Sequence, residues 1–269
     1  MDLSSIARNG LGLLGCGKMG SALLAGWLDN GVAPGDVWVV DPAPSDWLRG
    51  TGVNINHGMP TGPAIVVVAV KPQMMGAALP ALQAMGNADT VFLSIAAGTK
   101  IAMFEKVLGA KTPIVRAMPN TPAAIGKGIS AIIGNAHVSA AQLTLAQALM
   151  AAVGRVVRLD NEAQIDAVTA VSGSGPAYVF HLIEAMAEAG AQMGLPGDLA
   201  TDLAIETVAG AGALAAARND TPGQLRVNVT SPAGTTAAAL DVLMDDARGL
   251  VPLMTRAMQA AKRRSEELS

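Results

Sequence analysis

The glycine spacing Gly15-Cys16-Gly17-Lys18-Met19-Gly20 is the first feature of the chain that points to chemistry. It follows a short apolar run, Leu11–Leu14, and precedes a segment of helical period over residues 18–30. In that setting the pattern reads as a dinucleotide-binding turn. Gly15 permits the tight turn, Gly17 lets backbone approach a pyrophosphate, and Gly20 lets the helix lie close on the strand. The helix start adds free N–H groups and a partial positive charge. A turn with no ligand is the alternative. Cys16 reads as a small side chain that fits, with a redox role the other option, because helix starts lower thiol pKa values.

Further polar groups fall where other apolar runs end. Asp41 closes the second run, Val37–Val40, where an acidic residue bonds ribose hydroxyls and repels a 2′-phosphate. That favours NADH over NADPH; the alternative is a cap for the turn before Pro42. Val70-Lys71-Pro72 and Ala96-Ala97 follow the next two runs, at positions where open α/β sheets bind ligands. Lys71 reaches cofactor or substrate, or is a surface lysine. Met118-Pro119-Asn120-Thr121-Pro122 has two prolines that stiffen the backbone, so Asn120 holds its amide in one orientation for a nicotinamide carboxamide or a substrate group.

Two later motifs share one design. Ser172-Gly173-Ser174-Gly175 leads into Pro176, and Ser231-Pro232-Ala233-Gly234-Thr235-Thr236 leads into another helix-period segment. Each sets hydroxyls and unpaired N–H groups at a positive helix end, which suits a small carboxylate. Plain helix capping is the alternative, and stays open for Ser172 and Thr230 above all.

The elements that must position these residues change character partway along. Continuous apolar runs at Leu11–Leu14, Val37–Val40, 65–70, 91–95 and 114–116 predict buried parallel strands. Helical stretches at 18–30, 73–85 and Ile101–Leu108 lie between them, giving repeated βαβ units. Residues 128–133 and 155–159 predict two more strands around a helix at 140–152. Thereafter only helices are expected, at 161–171, 177–193, 199–217, 224–228, 236–244 and Leu250–Glu267. Pro176, Pro196, Pro222 and Pro232 stand at or before helix starts. The expected class is α/β: a Rossmann-like doubly wound sheet over residues 1–159, which binds the dinucleotide, and an all-α domain over 160–269.

Composition sets limits. The chain has 269 residues, 14% of them charged, and a net charge of −3. No clustered basic surface suggests nucleic acid; Lys262-Arg263-Arg264 reads as a solvated helix end. Mean hydropathy is +0.40, mainly from alanine, and no stretch is expected to span a membrane. The first residues lack a basic region followed by an apolar core, so no secretory signal is expected. The lone Cys16 fits a reducing cytoplasm. With 3% aromatics, the alanine-rich helices bury little area each, so an oligomer is expected. The cysteine and the histidines His57, His137 and His181 are too scattered for a metal site.

Taken together, the glycine turn, Met118–Pro122, Ser172–Tyr178 and 229–236 resemble the pyrroline-5-carboxylate reductase family across nearly the whole chain. The resemblance implies reduction of the cyclic imine of 1-pyrroline-5-carboxylate to L-proline by NAD(P)H, in proline biosynthesis. It implies helical domains that interlock as a homodimer, with dimers often forming rings, and a substrate site partly built by the neighbouring subunit. It carries the substrate-carboxylate contacts onto Ser172, Gly173, Ser174, Gly175, Thr235 and Thr236. Two departures stand out: Ala233-Gly234 where the family usually has Gly-Gly, and Asp41 where NADPH-preferring members have a small or basic residue. An iminium carbon is already electrophilic, so the protein's task is chiefly positioning. Thr236 and Lys71 are the candidate catalytic groups; Tyr178 or water are other ways to orient the nitrogen. A β-hydroxyacid-type dehydrogenase is the rival enzyme, disfavoured because the second domain's only lysine is Lys262. A sensor that binds NAD(P)H without turnover is the rival of another class.

Overall fold

The computed structural model describes residues 4–268. Eight strands form one sheet: β1 (Leu11–Leu14), β2 (Val37–Val40), β3 (Asn54–Ile55), β4 (Ile65–Val68), β5 (Val91–Ser94), β6 (Ile114–Met118), β7 (Gly128–Gly134) and β8 (Gly154–Arg158). Their order is β3-β2-β1-β4-β5-β6-β7-β8. Because β1 lies between β2 and β4, the chain reverses direction across the sheet there, and the crevice this leaves is where such sheets bind nucleotides. The strands read as continuous apolar runs because both faces are covered. In β4, Ile65 and Val67 join one core cluster with Leu23, Leu24 and Trp27, while Val66 and Val68 join another with Phe92 and Phe104. Trp27 adds a specific tie, its indole N–H donating to the Leu149 carbonyl at 2.9 Å.

Several elements depart from the sequence pattern. The pair β6–β7 is antiparallel. Only the short 3-10 turn Thr121–Ile125 lies in that connection, and a parallel return needs a crossover of about a dozen residues or more. The strand β3 has two residues, too few to show a period. The helix expected over 73–85 is broken into a 3-10 turn, the helix Met75–Ala78 and a 3-10 stretch Leu79–Met85. Pro80 explains the second break, since it has no N–H to donate to the preceding turn. The segment expected as helix 161–171 is Gln164–Val168 followed by a π-helical turn, Thr169–Gly173.

The chain divides into two compact units. The sheet unit ends at Gly173 and is re-entered at Ala261; Ser174–Ala260 form the helical unit. The boundary expected after residue 159 follows the last strand. The division by contacts falls later because Ile165 and Ala170 are buried and the Ser265 hydroxyl donates to the Asp166 carboxylate at 2.6 Å. Gly175–Gln192, Gly197–Ala217, Pro222–Asn228 and Thr235–Leu243 are the helices of the second unit, with most of Leu250–Glu267. Helices Gly175–Gln192 and Gly197–Ala217 meet at small residues: a Cβ on Gly190 would lie 3.1 Å from that of Ala200. The expectation that no stretch is apolar enough to cross a membrane needs correction. Helix Gly197–Ala217 passes that test by length and composition, with a hydropathy of 1.3, because alanine and leucine dominate it.

Candidate active site

The register of the sheet brings the loop residues singled out in the sequence to one edge. Leu14 pairs with Val40 and Val68, Val68 with Ser94, and Ser94 with Arg116. The segments after β1, β2, β4, β5 and β6 therefore leave the sheet side by side. They carry Gly15–Gly20, Asp41, Val70-Lys71-Pro72, Ala96-Ala97 and Asn120.

At the first of these, the three glycines differ in what they permit. Gly15 has φ +88°, and a Cβ there would sit 2.9 Å from the Val70 side chain. Gly17 is the residue before helix Lys18–Asp29, and nothing lies within 4 Å of a would-be Cβ. Its open side is where a phosphate can approach. A Cβ on Gly20 would fall 2.5 Å from the Gly15 carbonyl oxygen, so only glycine lets the helix lie this close. Met19 and Cys16 pack against the core beneath. A cavity of about 570 Å³ opens beside the turn, bordered by Cys16, Gly17, Lys18 and Trp47. This geometry fits a dinucleotide pyrophosphate. The Cys16 thiol is pushed up to about 11, first by burial and then by the Asp41 charge. It stays protonated at neutral pH, unlike the low-pKa thiols of redox centres.

Asp41 is held at four points. Its carboxylate accepts the Cys16 N–H at 2.6 Å through one oxygen and the Ala43 N–H at 2.8 Å through the other. Its own N–H donates to the Asn56 side-chain oxygen at 3.0 Å, and its carbonyl accepts from the Asn56 amide at 2.8 Å. The carboxylate thus caps the following turn, as the sequence allowed, and is also tied to the glycine turn.

Along the same edge, Lys71 is exposed and precedes the 3-10 turn that starts at Pro72. Val70 packs partly on the core. Ala96 is buried and Ala97 exposed. Asn120 is buried; its side-chain oxygen accepts the Ile129 N–H at 2.9 Å, which fixes the amide's orientation. Gly173 lies against this edge as well, since a Cβ there would meet the Met118 methyl group at 2.5 Å.

The motif around Ser172 is shaped by the π-helical turn. Ser172 donates back to the Val168 carbonyl at 3.1 Å, the capping-type role left open for it. Ser174 precedes helix Gly175–Gln192, and its side chain makes no cap hydrogen bond. In the second motif, Thr230 donates to the Arg226 carbonyl at 2.6 Å and is likewise used internally. Ala233 adopts φ +57°, a left-handed conformation that favours glycine. Gly234 precedes helix Thr235–Leu243 with no side-chain cap. Thr235 and Thr236 occupy the first turn, where the N–H groups lack partners in the helix. Thr236 also borders a cavity of about 410 Å³ with Arg226, Val229 and Leu240.

Two groups were not legible in the sequence. Arg116, buried on β6, pairs with Glu162 at 2.8 Å, and the same Glu162 oxygen accepts the Ile101 N–H at 2.9 Å. That pair ties β6 to the helix that follows the Ala96-Ala97 loop. A lone arginine inside an apolar run was the only available signal. The other is Asn56, whose sequence signal was the turn-forming string Asn56-His57-Gly58. The Tyr178 hydroxyl oxygen is buried without a hydrogen-bond partner among the described residues. His181 is exposed, and its Nδ1 lies 3.0 Å from the Glu184 carboxylate.

Comparison with known proteins extends this picture. A family model described as pyrroline-5-carboxylate reductase dimerisation matches residues 162–268. A second, described as NADP oxidoreductase coenzyme F420-dependent, matches residues 10–98. The chain is 41% identical over 265 residues to a pyrroline-5-carboxylate reductase from Pseudomonas aeruginosa, covering 96% of each. It is 40% identical over 265 residues to one from Synechocystis sp., covering 96% of this chain and 97% of that one. Among solved structures, a pyrroline-5-carboxylate reductase from Coxiella burnetii superposes with a TM-score of 0.89 at 34% identity, covering 97% of this chain and 98% of that one. A Plasmodium falciparum pyrroline carboxylate reductase with NADP bound gives 0.84 at 28% identity, with the same coverage. Similarity of this extent, at 40% identity end to end, makes the chain a member of the pyrroline-5-carboxylate reductase family.

Proposed function

We propose that this protein reduces 1-pyrroline-5-carboxylate to L-proline with a pyridine nucleotide, and that NADH is the preferred donor. The observation that carries the reaction is the helix start at Thr235, with Thr235 and Thr236 in its first turn and no side chain capping it. It leaves N–H groups and hydroxyls to a ligand, and a single small carboxylate suits them. Family membership supports the choice of imine.

The glycine turn holds the pyrophosphate, with Lys18 and Met19 beginning the helix behind it. Asp41 accepts from the adenosine ribose hydroxyls. Val70, Lys71, Pro72, Ala96 and Ala97 line the dinucleotide, and the Asn120 amide, fixed by its bond to Ile129, orients the carboxamide. The bound nicotinamide supplies the hydride. Ser174, Gly175, Thr235 and Thr236 hold the substrate carboxylate, and Gly173 gives the turn room beside Met118. The Thr236 hydroxyl orients the ring nitrogen. Hydride adds to the carbon of the iminium, whose nitrogen already carries the proton, so no strong protein acid is required, and correct orientation is worth about 7–11 kcal/mol of the barrier. The helical unit serves as a homodimer interface, and dimers assemble further into rings. The buried area is supplied by exposed apolar side chains such as Phe180, Leu203 and Val251.

Steady-state assays on the cyclic imine with each nucleotide test this. Turnover with a higher kcat/KM for NADH is expected; NADH oxidation that does not respond to the imine would refute the reaction. Thr236→Val should raise KM for the imine about tenfold while NADH affinity stays near wild type. Unchanged kinetics would remove Thr236 from the site.

A further inference from the structure

We infer that Asn56 is a specificity-determining positioning residue, which sets the choice between NADH and NADPH by locking Asp41. The inference rests on the reading of Asp41 given above. Asn56 directly follows the two-residue strand β3 and has φ +58°. Its N–H donates to the Val39 carbonyl at 2.8 Å, as one more rung beside β2. Its side-chain amide then does what the next backbone residue of a strand would do. The oxygen accepts the Asp41 N–H and the NH₂ donates to the Asp41 carbonyl. Both halves of one amide thereby clamp both polar groups of one residue.

The consequence lies in the Asp41 carboxylate. With the main chain clamped by Asn56, its oxygens reach the Cys16 N–H on one side and the Ala43 N–H on the other. Each oxygen retains further lone pairs. A carboxylate held this way keeps its charge at the rim of the glycine turn, where it accepts from a ribose diol and opposes a 2′-phosphate. A free aspartate at the same position could swing into solvent and relieve that repulsion. Removal of the clamp should therefore cost NADH affinity and ease NADPH binding, without touching any group that contacts the nucleotide.

Asn56 is also suited to the task by its backbone. Asparagine tolerates the left-handed region better than most residues, so the clamp and the turn are served by one side chain. Asn56→Gly retains the backbone conformation and deletes only the amide. Asn56→Asp keeps the size but sets a second acceptor against the Asp41 carbonyl.

The test is direct binding of NADH and of NADPH by calorimetry to wild type, Asn56→Gly, Asn56→Asp and Asp41→Ser. The ratio of the two dissociation constants is independent of the fraction of active protein. Wild type should favour NADH, and both Asn56 variants should reduce that preference by about tenfold. In an Asp41→Ser background, Asn56→Gly should change the ratio no further. A wild type that favours NADH with a ratio unmoved by Asn56→Gly would overturn this inference alone. A wild type that favours NADPH would overturn the reading of Asp41 and this inference with it.

Discussion

Ala233 shows what a single side chain costs in a turn built for glycine. Its φ of +57° lies in the left-handed region, and the next residue, Gly234, is held 2.5 Å from the Ser231 hydroxyl at a would-be Cβ. A side chain on Gly234 would require the Ser231 hydroxyl to rotate away, whereas the left-handed strain of the turn falls on Ala233 itself. Replacing Ala233 by glycine should stabilise the protein by about 0.5–1 kcal/mol, the relief of the left-handed penalty less the added freedom of the unfolded chain. Thermal unfolding should show a higher Tm for Ala233→Gly; a lower one would mean the strain is absent. The departure from the family's Gly-Gly was visible in the sequence, but its meaning required φ. The same holds for Asp41. Its type and place were legible, whereas the clamp depended on Asn56, fifteen residues on, and nothing in a linear pattern links the two. Burial and the Asp41 charge keep the Cys16 thiol protonated at neutral pH.

The element scale explains which parts of the fold the pattern revealed. Buried parallel strands are continuous apolar runs because alternate residues enter different cores, and β1, β2 and β4 were placed within two residues. The strand β3 was invisible because two residues have no period. The strand β7 matches the run expected at 128–133, but its antiparallel direction left no mark, since side-chain type does not encode strand direction. The expected helix over 73–85 is broken at Pro80, which lies inside the apolar spacing that suggested it. The π-helical turn Thr169–Gly173 had no signal, yet it sets Ser172 and Gly173 at the carboxyl end of β6. The junction of β1 with helix Lys18–Asp29 is the least tolerant of these elements. A methyl group on Gly20 would press on the Gly15 carbonyl, which is backbone and cannot rotate away. Gly20→Ala should weaken NADH binding by about tenfold or more, through displacement of the helix start. Calorimetry would show it, and an unaltered dissociation constant would contradict the packing role assigned to this glycine.

At the scale of the whole molecule, the two units are built on different economies. The sheet unit has two apolar cores that contain fully buried Trp27, Phe92 and Phe104. The helical unit buries little beyond Gly190, Ala200 and Ala204, and leaves Leu203 half exposed on a helix apolar enough to pass for a membrane span. Apolar exposure on that scale marks an interaction surface, and the dimerisation family model covers it. Low aromatic content had already pointed to an oligomer; which faces meet could not be read without the helices in place. Light scattering should give at least twice the 27.1 kDa chain mass, and Leu203→Glu should shift it toward the monomer, because an unpaired buried charge is strongly unfavourable. A wild-type monomer at micromolar concentration would refute the interface.

In the proposed reaction, the first turn of helix Thr235–Leu243 receives the acid group of the substrate. A crystal structure of the protein with NAD⁺ and L-proline tests it most directly. The proline carboxylate should accept hydrogen bonds from the Thr235 and Thr236 backbone or hydroxyls, with the pyrophosphate at Gly17. A carboxylate bound away from this helix start, with Thr236 facing only protein, would contradict it.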